Sequence, residues 1–286
     1  MRLSLALNEE FGRGYSVSNL EYMRSFYVTY RERIPQSMIG KIGNGEKSQS
    51  PIGILENPFR LSWTHYIQLL KIRDENERSF YEIEAAVNNW SVRELQRQFD
   101  SALFERLALS RDKKGVKELA EKGQLIEKPA DALKSHYVLE FLGLKEDRQY
   151  SETDLETAII DKLEHFMLEL GKGFLFEGRQ RRFTFEGDSF FVDLVFYNRL
   201  LRCFVLFDLK IGRLSHQDIG QMQMYVNYYD RKIKAKDENP TIGIILCKEG
   251  NRTVVEFTLP EDNQQIFSKE YKAVLPSKEA LKKQLE

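Results

Sequence analysis

The first half of the chain has apolar residues at helical spacing. Between residues 19 and 33, apolar side chains recur every three or four positions, which is the period of one helix face. Ser18, followed three residues later by Glu21, is typical of a helix start with a capping box. The same periodicity predicts further helices over 62–72, 75–88, 91–107 and 110–122.

A glycine-containing turn at residues 12–15 precedes the helix predicted at 19–33. Two helices joined by a short turn are therefore expected near the N-terminus. A helix-turn-helix DNA reader has this outline, and so does any αα-hairpin, so the pattern leaves both interpretations open. The polar segment 43–53, rich in glycine and serine, predicts a mobile loop.

The second half changes to a strand-rich pattern. A capped helix at 151–170 is followed by strands at 175–185, 190–197 and 202–211, a helix at 216–229, an apolar strand at 241–247, a strand at 271–275 and a helix from 277. This order predicts a helical N-terminal domain at 1–135 and, at 150–286, an α+β or α/β domain with a mixed sheet flanked by helices.

Composition excludes several classes of protein. The 286 residues are 42% hydrophobic and 30% charged with a net charge of −1, so the chain is globular and has no overall basic signature. Cys203 and Cys247 lie in apolar runs and predict buried thiols without a zinc site. The apolar start is too short for a secretory signal, and no run reaches the ~20 residues of a membrane helix. We therefore expect a cytoplasmic protein.

Two predicted strands carry an aspartate in an apolar run. Asp193 lies in the middle of one strand and Asp208 in the next, with Lys210 two residues beyond. Strand alternation places Asp208 and Lys210 on one face, and a short turn makes the two strands neighbours. The aspartates can then face each other across the ladder, with Cβ atoms ~5 Å apart.

A divalent cation would remove the repulsion between two such carboxylates. Mg²⁺ takes one or two carboxylates together with water and phosphate oxygens, and a lysine beside it would stabilise charge on a reacting phosphate. The alternative is a buried Asp–Lys or Asp–Arg ion pair without chemistry. The two mid-strand aspartates, the lysine on the same face and the helix that follows favour the metal site.

Neighbouring helices offer three further candidates. Gln221 and Tyr225 are four residues apart and share a helix face, from which they can bind a phosphate or orient the lysine. Glu156 lies beside the apolar stripe of the helix at 151–170 and can reach the metal from its flank. Each of these side chains can equally be a solvated surface group.

The arrangement of Asp193, Asp208-Leu209-Lys210 and Gln221-x-x-x-Tyr225 resembles the PD-(D/E)XK nuclease superfamily, and its helix resembles the RecB-like branch. Over nearly the whole chain the sequence is similar to YhcG-type bacterial nucleases. The similarity is carried by residues 11–16, 60–66, 80–86, 177–180, 191–197, 208–210, 216–222 and 239–247. Val192 stands where proline is common in the superfamily.

The resemblance implies a restriction-endonuclease-like fold and a Mg²⁺-dependent nuclease, with Mn²⁺ as a substitute. Asp193 and Asp208 would be metal ligands, with Glu156 as a further acid, Lys210 would be the catalytic lysine, and Gln221 and Tyr225 would support the site. Relatives carry further helices upstream of Leu3, so the chain is expected to be a short variant or the product of a truncated gene.

A basic cluster on the strand before Asp193 is the candidate for nucleic-acid contact. It consists of Arg179, Arg181 and Arg182, which can bind phosphates or protect a strand edge. DNA is the expected partner, and a homodimer is expected by analogy with enzymes that cut both strands. The leading hypothesis is a DNA endonuclease. The alternatives are a catalytically silent nuclease fold that binds nucleic acid or protein, and a purely structural protein.

Overall fold

The computed structural model describes residues 2–34, 58–143, 150–274 and 277–285. These residues form two compact units, one of residues 2–100 and 117–123 and one of residues 101–116 and 124–285. The loop predicted at 43–53 lies outside the described residues. None of the described helices is long and apolar enough to cross a membrane.

The first unit is helical, as predicted. It contains α1 (Arg2–Phe11), α2 (Val17–Tyr30), α3 (Trp63–Leu69), α4 (Glu75–Val87), α5 (Val92–Asp100) and α7 (Lys113–Lys122), the last of which extends into it from the second unit. Ser16, not Ser18, caps α2, since its side chain accepts the Asn19 N–H. The predicted helix pair is therefore α1 and α2, and its DNA-reading role stays a prediction.

One predicted helix corresponds to two helices in the structure. The pattern at 91–107 is divided into α5 and α6 (Leu103–Ala108), because Ala102 adopts a left-handed backbone with φ 49°. Helical periodicity continues on both sides of such a break, so the pattern gives no sign of it. α6 belongs to the second unit together with the sheet.

The second unit is built on a six-stranded mixed sheet of order β1-β6-β5-β4-β3-β2. The strands are β1 (His136–Val138), β2 (Phe174–Phe185), β3 (Asp188–Asn198), β4 (Cys203–Arg213), β5 (Ile242–Glu249) and β6 (Ile266–Lys272). β2, β3 and β4 form an antiparallel meander, whereas β4, β5, β6 and β1 run parallel. The predicted class, a helical region followed by a mixed sheet flanked by helices, is confirmed.

Helices cover both faces of the sheet. α8 (Glu152–Asp161) and α9 (Leu163–Leu170) pack on one face against a core that includes Phe196 and Phe207. α10 (His216–Tyr228) packs on the other face, with Met222 and Val226 in its core. α10 lies so close to β5 that a Cβ at Gly243 would collide with Met222 Sδ. Cys203 and Cys247 are free and buried, as predicted.

The C-terminal part departs most from the sequence prediction. The last strand is β6 at Ile266–Lys272, whereas the prediction began at Tyr271. α11 (Arg252–Thr258) was not predicted, because it is short and contributes no buried residue. The predicted helix at 151–170 is divided at Lys162 into α8 and α9. α12 (Lys278–Leu285) starts as predicted, with Ser277 Oγ accepting the Ala280 N–H.

A buried ion cluster ties α6 to α9 inside the second unit. Arg106 is 0% exposed, and its guanidinium contacts the carboxylate of Glu169. Lys134 Nζ lies 3.5 Å from Glu169 Oε2, and the Val138 N–H donates to Glu169 Oε1 at 2.9 Å. Burial raises the pKa of Glu169, but Arg106 and Lys134 outweigh it and lower that pKa. The carboxylate is therefore held ionised in the interior.

Candidate active site

The antiparallel ladder of β3 and β4 brings the two predicted aspartates to the same level of the sheet. Leu194 pairs with Phe207, and the same register extended by one residue sets Asp193 opposite Asp208. Beyond that point a side chain replaces the backbone partner of β4, since Asp193 Oδ2 accepts the Leu209 N–H at 2.8 Å. The strand alternation read from the sequence gives the same juxtaposition.

Lys210 lies beside these carboxylates. Its Nζ is 3.0 Å from Asp208 Oδ2 and 3.6 Å from Glu152 Oε2. Asp208 is 2% exposed, whereas the Lys210 side chain is 16% exposed and reaches the surface. Glu152, at the start of α8, thus contributes a second acid near the lysine.

Asp208 and Lys210 differ in how their surroundings affect the charged form of each side chain. Burial raises the pKa of Asp208 to about 7, against the lowering effect of Lys210, and Asp193 raises it further. Burial also opposes the charge on Lys210, but the neighbouring Asp208 carboxylate prevails and raises the lysine pKa. Lys210 is therefore a permanent cation at neutral pH, and the Asp208 anion is stable only beside positive charge.

Gln180 connects the third predicted acid to the site. Its Nε2 donates to Glu156 Oε2 at 2.6 Å and to Asp193 Oδ1 at 3.2 Å. Gln180 has φ 47°, a left-handed backbone that costs a non-glycine residue energy and is often found at functional sites. Glu156 is buried on α8 and reaches Asp193 through this amide.

Gln180 is not among the site residues predicted from the sequence, although the sequence contains a signal for its position. The turn at Glu186 and Gly187 sets Phe185 opposite Asp188. Counting back along this hairpin pairs Gln180 with Asp193, because a turn fixes the register of its strands. Arg179 and Arg181, on either side, pair with Leu194 and Val192 in that register.

α10 places Gln221 and Tyr225 near the acids. Ser215 caps this helix, in a capping box with Asp218. Gln221 Nε2 donates to the phenolic oxygen of Tyr225, so the two side chains form one polar pair. Burial raises the pKa of Tyr225, and Asp208 and Asp193 raise it further. The phenol therefore stays neutral beside the carboxylates.

The three arginines of β2 differ in their surroundings, although all are exposed. Arg181 is paired with Glu177, with Nε 3.0 Å from Oε2. Arg182 donates to Ser189 Oγ at 2.8 Å across the hairpin. Arg179 has no hydrogen bond or ion pair with the described residues. Arg179 is thus the member of the cluster that is free to bind a phosphate.

The donor set suits a hard divalent cation. Among the described residues, no three His, Cys, Asp or Glu side chains converge on one point, so Glu156 is not brought together with both aspartates as a ready three-ligand set. Mg²⁺ needs only one or two carboxylates and fills its remaining positions with water and substrate oxygens. Asp193 and Asp208 would meet that need.

The solved structures that match align with less than half of this chain. A crystal structure of a repair endonuclease from Pyrococcus abyssi is 17% identical with a TM-score of 0.30, covering 46% of this chain and 50% of that one. The structure of EndoMS in apo form is 16% identical with a TM-score of 0.29, covering 46% and 49%. The chain spans about half the length of these proteins, so the family assignment depends on sequence matches.

Those sequence matches cover nearly the whole chain. Residues 130–286 match the model of the YhcG PDDEXK nuclease domain, and residues 1–106 match the DUF1016 N-terminal domain. A protein of Escherichia coli (strain K12) named "Putative nuclease YhcG" is 38% identical over 302 residues, which cover 99% of this chain and 78% of that protein. The chain therefore belongs to the YhcG family of PDDEXK nucleases.

Proposed function

We propose that this chain is a Mg²⁺-dependent endonuclease that hydrolyses phosphodiester bonds of DNA. The observation that carries the proposal is the meeting of Asp193 and Asp208 on adjacent strands, with the Lys210 ammonium 3.0 Å from Asp208. Family membership supports the nuclease fold, and Arg179 offers a free cation next to the site.

Each side chain has a role in the proposed mechanism. Asp193 and Asp208 would hold the cation, which when bound neutralises phosphate charge and lowers the pKa of water. Lys210, a cation at neutral pH, stabilises the negative charge that grows on the phosphate oxygens. Gln180 holds Glu156 and Asp193 in place, and the neutral pair of Gln221 and Tyr225 offers hydrogen-bond donors to the phosphate or acceptor oxygens to Lys210.

The purified protein is expected to nick supercoiled plasmid DNA in Mg²⁺ or Mn²⁺ and to be inactive in EDTA. Gel electrophoresis measures the conversion to open circles, which is the product of endonucleolytic action. A labelled RNA of the same sequence is the matched substrate. Preference for the RNA would overturn the choice of DNA. No cleavage of either polymer, together with no thermal stabilisation by Mg²⁺, would favour the catalytically silent binding module instead.

Gln180→Asn is expected to reduce metal affinity about tenfold or more, the usual cost of losing a residue that orients a ligand. Asparagine tolerates the left-handed backbone, but its shorter side chain cannot bridge Glu156 and Asp193. The measurement is the Mg²⁺ concentration that gives half of the maximal thermal stabilisation. Gln264→Asn, at an exposed glutamine before β6, is the control. Equal Mg²⁺ midpoints for the two variants would exclude this role of Gln180.

A further inference from the structure

A pocket of about 440 Å³ lies on the side of α10 next to the hairpin tip of β2 and β3. It is lined by Phe185, Gly220, Gln223, Met224, Asn227, Tyr228, Arg231 and Lys232. Its volume lies within the range of small-ligand sites. None of these residues takes part in the mechanism proposed above, so the pocket has no assigned role.

An aromatic layer connects this pocket to the candidate active site. The Tyr228 ring stacks on Phe183 with centroids 4.2 Å apart and an interplanar angle of 11°. Phe183 in turn meets the Tyr225 ring edge-on at 5.5 Å. Because Tyr225 belongs to the candidate site, only the Phe183 ring separates that site from Tyr228 in the wall of the pocket. A nucleic acid bound at Asp208 and Lys210 would have its neighbouring nucleotides within reach of the pocket.

The walls of the pocket combine aromatic and amide groups. Phe185 is 39% exposed and meets Tyr228 edge-on at 5.4 Å, so part of its ring faces solvent. Gln223 Nε2 contacts Asn227 Oδ1 at 3.4 Å. The remaining polar atoms, Gln223 Oε1 and Asn227 Nδ2, make no hydrogen bond to the described residues. One acceptor and one donor are therefore available beside an aromatic surface, which suits the edge and face of a base.

The mouth of the pocket is positively charged. Arg231 and Lys232 are exposed, and no carboxylate among the described residues pairs with either of them. The neighbouring Asp230 is already bound by the Thr241 N–H and by Gln265 Nε2. Cations bind the phosphate of a nucleotide, and aromatic and amide groups bind its base. The two uncompensated cations beside this aromatic and amide surface therefore suit a nucleotide.

We infer that this pocket receives one unpaired nucleotide of the DNA substrate, beside the phosphodiester that the site hydrolyses. The inference rests on the proposed nuclease function and narrows its substrate to DNA that contains an unpaired base. A fully paired duplex keeps its bases stacked inside the helix and offers none to the pocket, whereas a bulged or frayed duplex does.

The test compares two fluorescein-labelled duplexes that differ only in a central one-nucleotide bulge. Binding is followed by fluorescence anisotropy in EDTA, so cleavage does not enter. The wild-type protein is expected to bind the bulged duplex about tenfold more tightly, since stacking on an aromatic side chain is worth about 1–3 kcal/mol per base. Equal affinity for the two duplexes, as expected for a pocket that serves a protein partner, overturns the inference.

Two variants assign the preference to the pocket. Gly220→Leu adds a side chain where a Cβ meets no atom within 4 Å, so it plugs the pocket without disturbing the fold. Phe185→Ala removes an exposed ring. Both are expected to bind bulged and paired duplexes equally, whereas Gln217→Leu, at an exposed position of α10 outside the pocket, keeps the tenfold preference. A preference retained in both pocket variants also overturns the inference.

This readout separates the two proposals. A protein that prefers the bulge but cleaves neither plasmid nor the bulged duplex in Mg²⁺ contradicts the nuclease proposal and leaves the binding of an unpaired nucleotide in the pocket standing. A protein that nicks plasmid and binds both duplexes equally contradicts the pocket assignment and leaves the nuclease proposal standing.

Discussion

Replacing Lys210 by methionine will lower the rate of plasmid nicking by about a hundredfold to a thousandfold, the usual cost of losing one preorganised electrostatic group. Methionine is unbranched and one atom shorter, so it keeps most of the apolar stem and removes the ammonium group. The Lys210 ammonium lies 3.0 Å from Asp208, and its raised pKa keeps it charged over the whole working range. Asp208→Asn, which removes a proposed metal ligand, will have at least as large an effect.

The matched control is Lys248→Met, which alters an exposed lysine near the end of β5. This variant should nick plasmid at the wild-type rate. Circular dichroism and thermal unfolding must show that all variants are folded. If Lys210→Met and Asp208→Asn cut within twofold of the wild type, then the acids and lysine form an inert ion pair and another part of the chain holds the active site.

Replacing Glu169 by glutamine will lower the free energy of unfolding by about 3–5 kcal/mol, the range found when one member of a buried ion pair is removed. Glu169 pairs with both Arg106 and Lys134, which are 0% and 1% exposed. Without it, two buried cations lose their counterion, and glutamine can accept hydrogen bonds but carries no charge. Urea unfolding followed by circular dichroism measures the change.

Asp237→Asn provides the comparison for this result. Asp237 pairs with Arg202 at 2.7 Å, but both side chains are more than half exposed, so the pair contributes about 1 kcal/mol or less. Both variants lose one carboxylate from an ion pair, so the difference between their losses in free energy of unfolding reports the effect of burial. A Glu169→Gln variant that loses less than 1 kcal/mol would show that the cluster has an alternative counterion or admits water.

Much of the sheet domain follows from local patterns in the sequence. β2, β3 and β4 are predicted nearly to their ends, because Glu186 and Gly187 mark one turn and each strand alternates or is continuously apolar. β1 was not predicted, and β6 was predicted too late in the chain. β1 has only three residues, His136–Val138, and it pairs with a strand more than 120 residues away. Periodicity within a short window contains no information about such a partner.

The candidate site was predictable to the extent that strand alternation fixes it. Asp193, Asp208 and Lys210 follow from two adjacent strands, and the structure brings them together. The position of Glu156 relative to them was not predictable, because it depends on how α8 packs on the sheet. Gln180 was missed because its left-handed backbone and its bridge between two carboxylates arise only when the helix and the hairpin meet.

The strand order has a consequence for how the domain assembles. β2, β3 and β4, the last two of which carry Asp193, Asp208 and Lys210, are joined by tight turns, so each pairing closes a loop of few residues and loses little chain entropy. The opposite margin, where Tyr137 meets Tyr271, forms only after a much longer loop has closed. Such distant pairing is slow. The half of the sheet that holds the candidate site can thus form while the far margin is still unpaired. Until β1 pairs with β6, the edge of β6 exposes unpaired backbone groups to other chains.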